Sequence, residues 1–409
     1  MSTNSVLTTT AASTPETTLR EVVEALAPIE RLAGSDGERA AATWLAQRLR
    51  AVGLEARVEE EEFLDGFAGM LAGVSAAATV SGIAALTRRG RLAGLAGGAA
   101  ATALMADDIS NGARPLRRAL AERKTTWNVV AETGDPDAER TVVALAHHDA
   151  ARTGLIFDQT LQRKLVDWFP GVIERIDTGL PQWWPALAGP GLVAAGAASR
   201  RRGLVAAGTA LSAVATAALG DIARSPVVPG ANDNLSGVAV LVALAEALRE
   251  RPVEGVRVVL ASCGAEEVLQ GGIYGFAKRH LRPLDRERTW VLNFDSVGSP
   301  ELAMLEGEGE LVMEDYFDRG LRDLCDRVAQ REGIPMRRGM RARTSTDSVI
   351  PSRMGIATTC FVSINRHKGL SNYHQPSDLP ENLSYPTIAC AADLGMAVIR
   401  ELGDRQRPP

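Results

Sequence analysis

Five short segments of this 409-residue chain carry side chains suited to metal chemistry. His147, His148 and Asp149 follow the apolar run 141–146, and Asp233 sits in the Pro-Gly-Ala-Asn-Asp-Asn segment 229–234. Glu266 and Glu267 come shortly after the run 256–261, Asp295 directly after 289–294, and Tyr373 and His374 lie in 371–378. Imidazole and carboxylate together suit zinc, and a catalytic zinc keeps a position open for water. Two histidines and three carboxylates are enough to hold two metals, which at about 3.5 to 4 Å apart activate a nucleophile and polarise a carbonyl. A further carboxylate must then move the proton. Singly, each residue has an ordinary reading. An acidic residue at a strand end commonly caps a helix or lies in a solvated loop, and a lone loop histidine is usually just hydrogen-bonded in place. Glu266 and Glu267, however, follow an apolar strand and precede Gly-Gly, which predicts a sheet edge and not a solvated helix face. Three apolar strands ending in ligand-type residues form a pattern, because open α/β sheets bind ligands at the carboxyl ends of their strands.

The elements that must position these residues follow from periodicity. Helical spacing predicts a helix pair between Pro15 and about Leu54, broken at 34–37, and further helices over 235–250, 314–331 and about 386–401. Between them run the apolar stretches 141–146, 256–261, 289–294 and 356–364. Such alternation predicts an α/β fold with a mixed, mostly parallel central sheet flanked by helices. Two stretches stand apart. Residues 66–87 and 92–106 are uncharged around a turn containing Arg88, Arg89 and Arg91, and 178–199 and 203–220 are uncharged around Arg200, Arg201 and Arg202. They predict two hydrophobic helical hairpins, 66–106 and 178–220, inserted into one catalytic domain spanning 16–409. Residues 1–15 are polar and predict a disordered tail, without the basic start and apolar core of a signal peptide.

The uncharged runs are 22, 15, 22 and 18 residues long, against about 20 needed to span a bilayer. Their Ala and Gly content inserts weakly, and small residues pack closely in lipid and in soluble bundles alike. Trp183 and Trp184 stand where an interfacial anchor would. The hairpins therefore predict membrane association on a side left open, with a soluble accessory bundle over the active site in a cytoplasmic protein as the alternative. In either case they read as additions to the catalytic machinery. Hydrophobic residues make up 45% and charged residues 23%, which excludes wholesale disorder. A net charge of −5 with no basic stripe argues against a nucleic-acid partner. Cys263, Cys325, Cys360 and Cys390 are widely spaced and predict free, mostly buried thiols.

In order, the segments Ala-His-His-Asp-Ala, Pro-Gly-Ala-Asn-Asp-Asn-Leu-Ser-Gly, Gly-Ala-Glu-Glu, Asn-Phe-Asp-Ser-Val-Gly and Tyr-His-Gln-Pro-Ser-Asp resemble metallopeptidase family 28, the co-catalytic zinc aminopeptidases. The resemblance extends to 30–49 and 127–134 and covers most of the chain outside the hairpins and tail. It implies a zinc exopeptidase-like fold and two zinc ions, with manganese or cobalt as alternatives, and a peptide or aminoacyl substrate. It also implies His147 and Asp295 on one zinc, Glu267 and His374 on the other, and Asp233 bridging both. Glu266 would be the general base, Asp149 would orient His147, and Tyr373 would donate to the tetrahedral oxyanion. His148 then faces elsewhere. Asp347 falls where the family has Ser-Asp-His, but Ser348 replaces the histidine, which puts specificity in question. His280 and His367 match no motif. Two alternatives remain: another zinc amide hydrolase or a glutaminyl-cyclase-like acyl transferase, and an inactive membrane scaffold on the same fold.

Overall fold

The computed structural model of the chain describes residues 14–87, 89–169, 171, 177–178 and 183–404. Nearly all of the predicted tail lies outside the described residues.

The core is a nine-stranded mixed sheet in the order β1-β2-β4-β3-β5-β9-β6-β7, with β8 paired to β6. Its strands are β1 Ala56–Leu64, β2 Arg123–Gly134, β3 Thr141–His147, β4 Arg257–Cys263, β5 Thr289–Phe294, β6 Glu301–Glu308, β7 Glu314–Asp315, β8 Arg337–Ala342 and β9 Ala357–Ile364. β4, β3, β5 and β9 run parallel, while β2 and β6 join their two sides antiparallel. This is the predicted fold class. Every residue of β3 and of β9 is buried, as expected of parallel strands covered on both faces. The helix Ser236–Glu250, apolar from Val238 to Ala245, crosses one face between the helices Glu16–Leu26 and Tyr385–Asp404. Ser35 caps the helix Asp36–Ala51 by accepting from the Glu38 backbone N–H at 3.2 Å, so the predicted break at 34–37 is a turn plus a cap.

The predicted helix over 314–331 starts later, at Arg319. Glu314 and Asp315 form β7 instead, and Asp318 caps the helix through Gly320 N–H. The edge expected for Glu266 and Glu267 is the carboxyl-terminal rim of an interior strand, since β4 lies between β2 and β3.

The first hydrophobic stretch forms the helices Phe67–Ala85 and Arg91–Ile109, and the second forms Trp184–Ser199 and Arg202–Ile222. The four pack together as a bundle. Close approach depends on glycine: a Cβ on Gly208 would lie 2.6 Å from both the Gly189 carbonyl oxygen and the Val193 nitrogen. At the tips, Arg91 donates to the carbonyls of Ala197 at 2.7 Å and Ala198 at 2.9 Å, so both basic turns share one end. Among the described residues, three helices are long and apolar enough to cross a membrane: Phe67–Ala85, Arg202–Ile222 and Ala231–Glu250. The third is the core helix, with 89% of its apolar window buried inside the protein; the first two bury 33% and 28%.

Candidate metal centre

β3, β4 and β5 end side by side and deliver His147, the segment bearing Glu266 and Glu267, and Asp295 to one rim of the sheet. Two loops complete the site. Residues 230–235 lead into the core helix. Gly230 begins the turn at φ 58°, where a Cβ would meet the Asp233 carbonyl oxygen at 2.6 Å. Asp378 pins this loop by accepting from the backbone N–H groups of Asn232 at 2.8 Å and Asp233 at 3.1 Å. It also carries the second loop, 371–378, into place with His374.

The result is two overlapping groups of potential ligands. His147, Asp233 and Asp295 form one; Asp233, Glu267 and His374 form the other. Within each, the ligand atoms lie within 4.8 Å of one another. Asp233 is common to both, with Oδ1 3.4 Å from His147 Nε2 and Oδ2 3.2 Å from His374 Nε2. Glu267 Oε2 lies 3.1 Å from the same His374 nitrogen, and Asp295 Oδ2 lies 4.0 Å from His147 Nε2.

These contacts test whether the donors suit a cation. Neither ring nitrogen of His374 has a hydrogen-bond partner despite the two nearby carboxylates, and Glu267 Oε1 is also without one. The donor atoms therefore converge on shared points and do not aim at each other, as ligands to a metal do. Electrostatics agrees, because burying this many carboxylates without a compensating cation is costly. Burial and neighbouring carboxylates push Glu267 up to about 7 and Asp295 to about 6. Burial, with Asp347, Glu267 and Asp295 nearby, raises Glu266 well above the usual range. Burial opposes charge on His374, but Glu267 and Asp233 outweigh it and raise that imidazole to about 10. The residues fit a metal.

Residues 214–399 match the model of peptidase family M28. This stretch belongs to that family. No curated protein matches the chain by sequence. Among solved structures, an aminopeptidase from Aneurinibacillus sp. strain AM-1 is similar at a TM-score of 0.55 and 16% identity, covering 97% of this chain and 95% of that one. A glutaminyl cyclase from Bacteroides thetaiotaomicron bound to N-acetylhistamine gives 0.57 and 12%, covering 95% and 99%. A Zn-dependent exopeptidase from Parabacteroides distasonis ATCC 8503 gives 0.53 and 13%, also covering 95% and 99%. At such identities the similarity fixes the fold and leaves the reaction open.

Within the M28 stretch lie Asp233, Glu266, Glu267, Asp295, Tyr373 and His374; His147 and Asp149 come from before it. Asp149 Oδ1 is 3.3 Å from His147 Nδ1, and the same carboxylate accepts the backbone N–H groups of Glu266 and Glu267, each at 3.0 Å. Tyr373 stacks on His374 at 3.9 Å between ring centroids and lines a cleft of about 520 Å³ with Asp233, Glu266, Glu267 and Asp295. His148 points away, its Nδ1 2.9 Å from Ser262 Oγ, and burial lowers it to about 4. Asp347 is buried with both carboxylate oxygens unpartnered. His280 and His367 pair instead with Glu59 and Asp167.

Several supporting residues escaped sequence reasoning. Arg31, fully buried, donates to the carbonyls of His148 at 2.8 Å and Pro229 at 2.7 Å, tying the end of β3 to the Asp233 loop. Glu38 accepts from Ala265 N–H at 2.8 Å and from Thr126 Oγ1 at 2.6 Å. Phe157 lies 4.5 Å from the His374 ring and packs against the hairpin bundle. The only signal for Arg31 and Glu38 was their place in the 30–49 stretch that resembles the family.

Proposed function

We propose that the chain is a two-zinc exopeptidase that removes N-terminal residues from peptides. The observation that carries this reading is Asp233, whose two oxygens face different histidines 3.4 and 3.2 Å away. His147 and Asp295 would hold one zinc, Glu267 and His374 the other, with Asp233 shared. When bound, the metals supply Lewis acidity and a nucleophile at neutral pH. The chain supplies the rest. Gln270 fixes Glu266 Oε1 at 2.9 Å, while Oε2 faces the cluster 4.0 Å from His147 Nε2. Glu266 is thereby aimed to take a proton from the attacking water and return it to the leaving amine. Asp149 holds His147 and the Glu266 backbone in one frame. Tyr373 offers a phenol to the developing oxyanion. The same cleft is walled by Leu305, Met340, Val362, Ile364 and Leu370, which favours an apolar side chain at the cleaved residue.

The shared Asp233 favours hydrolysis over glutaminyl cyclisation, which commonly uses a single zinc on this fold. We also propose that the hairpins attach the protein to a membrane. The exposed residues of the four helices between tips and base are apolar, Val80, Ile83, Leu92 and Val214 among them. A helix hydrophobic on all sides belongs in a protein core or in lipid.

Metal content by elemental analysis, with hydrolysis of aminoacyl amides with and without chelator, tests the enzyme reading. Two zinc ions per chain and chelator-sensitive release are expected, and one zinc with cyclisation would replace it. Glu266→Gln should lower kcat by about 10²-fold or more while both metals stay bound; undiminished turnover would remove Glu266 as the base.

A further inference from the structure

We infer that Arg117, with Arg114 beside it, is a positioning residue for the segment carrying Glu266 and Glu267. The first hydrophobic hairpin is then part of the machinery it was expected only to adjoin. The inference rests on the roles proposed above for that pair.

The second helix of the first hairpin ends at Ile109, and a short helix, Pro115–Leu120, follows at its base. Arg117 there is 1% exposed and pairs with Asp108, itself 2% exposed, with Nε donating to Oδ2 at 3.2 Å. Arg117 Nη1 then donates to the Val268 carbonyl at 2.9 Å. Arg114, 9% exposed, donates Nη2 to the Leu269 carbonyl at 3.0 Å and Nε to the Asp108 carbonyl at 3.2 Å. Two buried cations from the segment at the base of the hairpin thus hold the carbonyls that immediately follow Glu267, one of them paired to Asp108 on the hairpin helix itself.

That segment needs holding. Ala265, Leu269 and Gln270 sit at φ 54°, 68° and 57°, a region disfavoured for non-glycine residues that persists where the surroundings over-determine it. The catalytic domain fixes the upstream half, through Glu38 to Ala265 N–H and Asp149 to the N–H groups of Glu266 and Glu267. Downstream, Gln270 Nε2 reaches the Ser345 carbonyl at 2.9 Å, and Arg117 and Arg114 at the hairpin base meet the two carbonyls in between. A buried ion pair is a poor source of stability, because desolvation offsets the attraction. Its particular contribution here is a rigid guanidinium fork with directed donors, which no apolar substitute offers.

The test uses the full-length, zinc-loaded protein as two variants: the double change Asp108→Leu with Arg117→Met, which strands no buried charge, and Arg114→Met. Amide exchange over 265–271, zinc retained after dialysis against a chelator, and kcat and KM on an aminoacyl amide are compared with wild type. Exchange over 265–271 should quicken while that of β3 and β5 holds. Altering the outer partners of a metal site should lower kcat or zinc retention about tenfold or more. KM should stay within about twofold, as expected when a group is misplaced in the transition state only. Arg114→Met should shift the same readings less. A folded double variant with wild-type exchange and kcat overturns the inference. If the double variant does not fold, wild-type exchange at 265–271 in Arg114→Met overturns it. Exchange needs no substrate, so a chain that hydrolyses nothing defeats the peptidase reading while the clamp is still judged on exchange.

Discussion

Asp233 is the residue on which the spacing of the site turns, because one carboxylate addresses both imidazoles from a loop that Asp378 and Arg31 hold at opposite ends. If the proposed pair of zinc ions is bound, Asp233→Asn should therefore lower zinc to below one per chain. Asp295→Asn should cost a single ion, and elemental analysis separates the two outcomes. Glu38 gives a pH dependence. Burial, reinforced by the Asp149 carboxylate, raises it from 4.5 to about 8, so the folded chain keeps a proton that the unfolded chain releases above 4.5. The stability this group contributes is complete below pH 4.5 and is lost as pH rises through 8. In metal-free protein, the melting temperature of wild type relative to Glu38→Gln should fall across that window; a constant difference would contradict the assignment. Residues such as His147 and Asp295 were legible because ligand chemistry adjoins an apolar strand. The supporting roles of Glu38 and Arg31 were not, because they act on backbone groups up to 227 positions away and look like ordinary polar residues of a helix or loop.

Among the elements, the parallel strands were readable as continuous apolar runs, whereas β6 and β8 were not. β8 is Arg-Arg-Gly-Met-Arg-Ala, and its arginines point to acidic partners such as Glu301 and Glu306, which no local periodicity reveals. Glu314 and Asp315 extended a helical pattern on paper, yet β6 captures them as β7. The hairpin helices were readable from their missing charge, but their packing partners were not. Gly208 shows why: its neighbours come from the preceding helix across the basic turn, at distances only a glycine tolerates. Gly208→Val should force Gly189 and Val193 apart and lower the melting temperature by several degrees, since overpacking costs about 1 to 3 kcal/mol. Differential scanning fluorimetry in mild detergent reads the shift.

At the scale of the molecule, the bundle and the sheet share a boundary. Pro185 and Ile156 line the same cleft as the ligand cluster, and Trp184 Nε1 donates to the Glu310 carbonyl at 3.0 Å. The helices Phe67–Ala85 and Arg202–Ile222 have 19 and 21 residues. At about 1.5 Å per residue they approach the roughly 30 Å of a hydrocarbon core. The protein should float with anionic lipid vesicles in a density gradient. Val80→Glu together with Val214→Glu, at positions 67% and 66% exposed, should weaken flotation and leave amide hydrolysis intact. Wild type remaining at the bottom of the gradient would favour the soluble bundle.

The packing of Gly82 bears on how the chain is made. A Cβ there would lie 3.0 Å from Val193 Cγ2 and 3.1 Å from Thr209 Cβ, both more than a hundred residues later in the chain. At about 5 to 20 residues per second, the first hairpin leaves the ribosome several seconds or more before the surface that covers it exists. For that interval the face that Val193 and Thr209 will cover stands open, so the first hairpin completes its packing only after the second has been made.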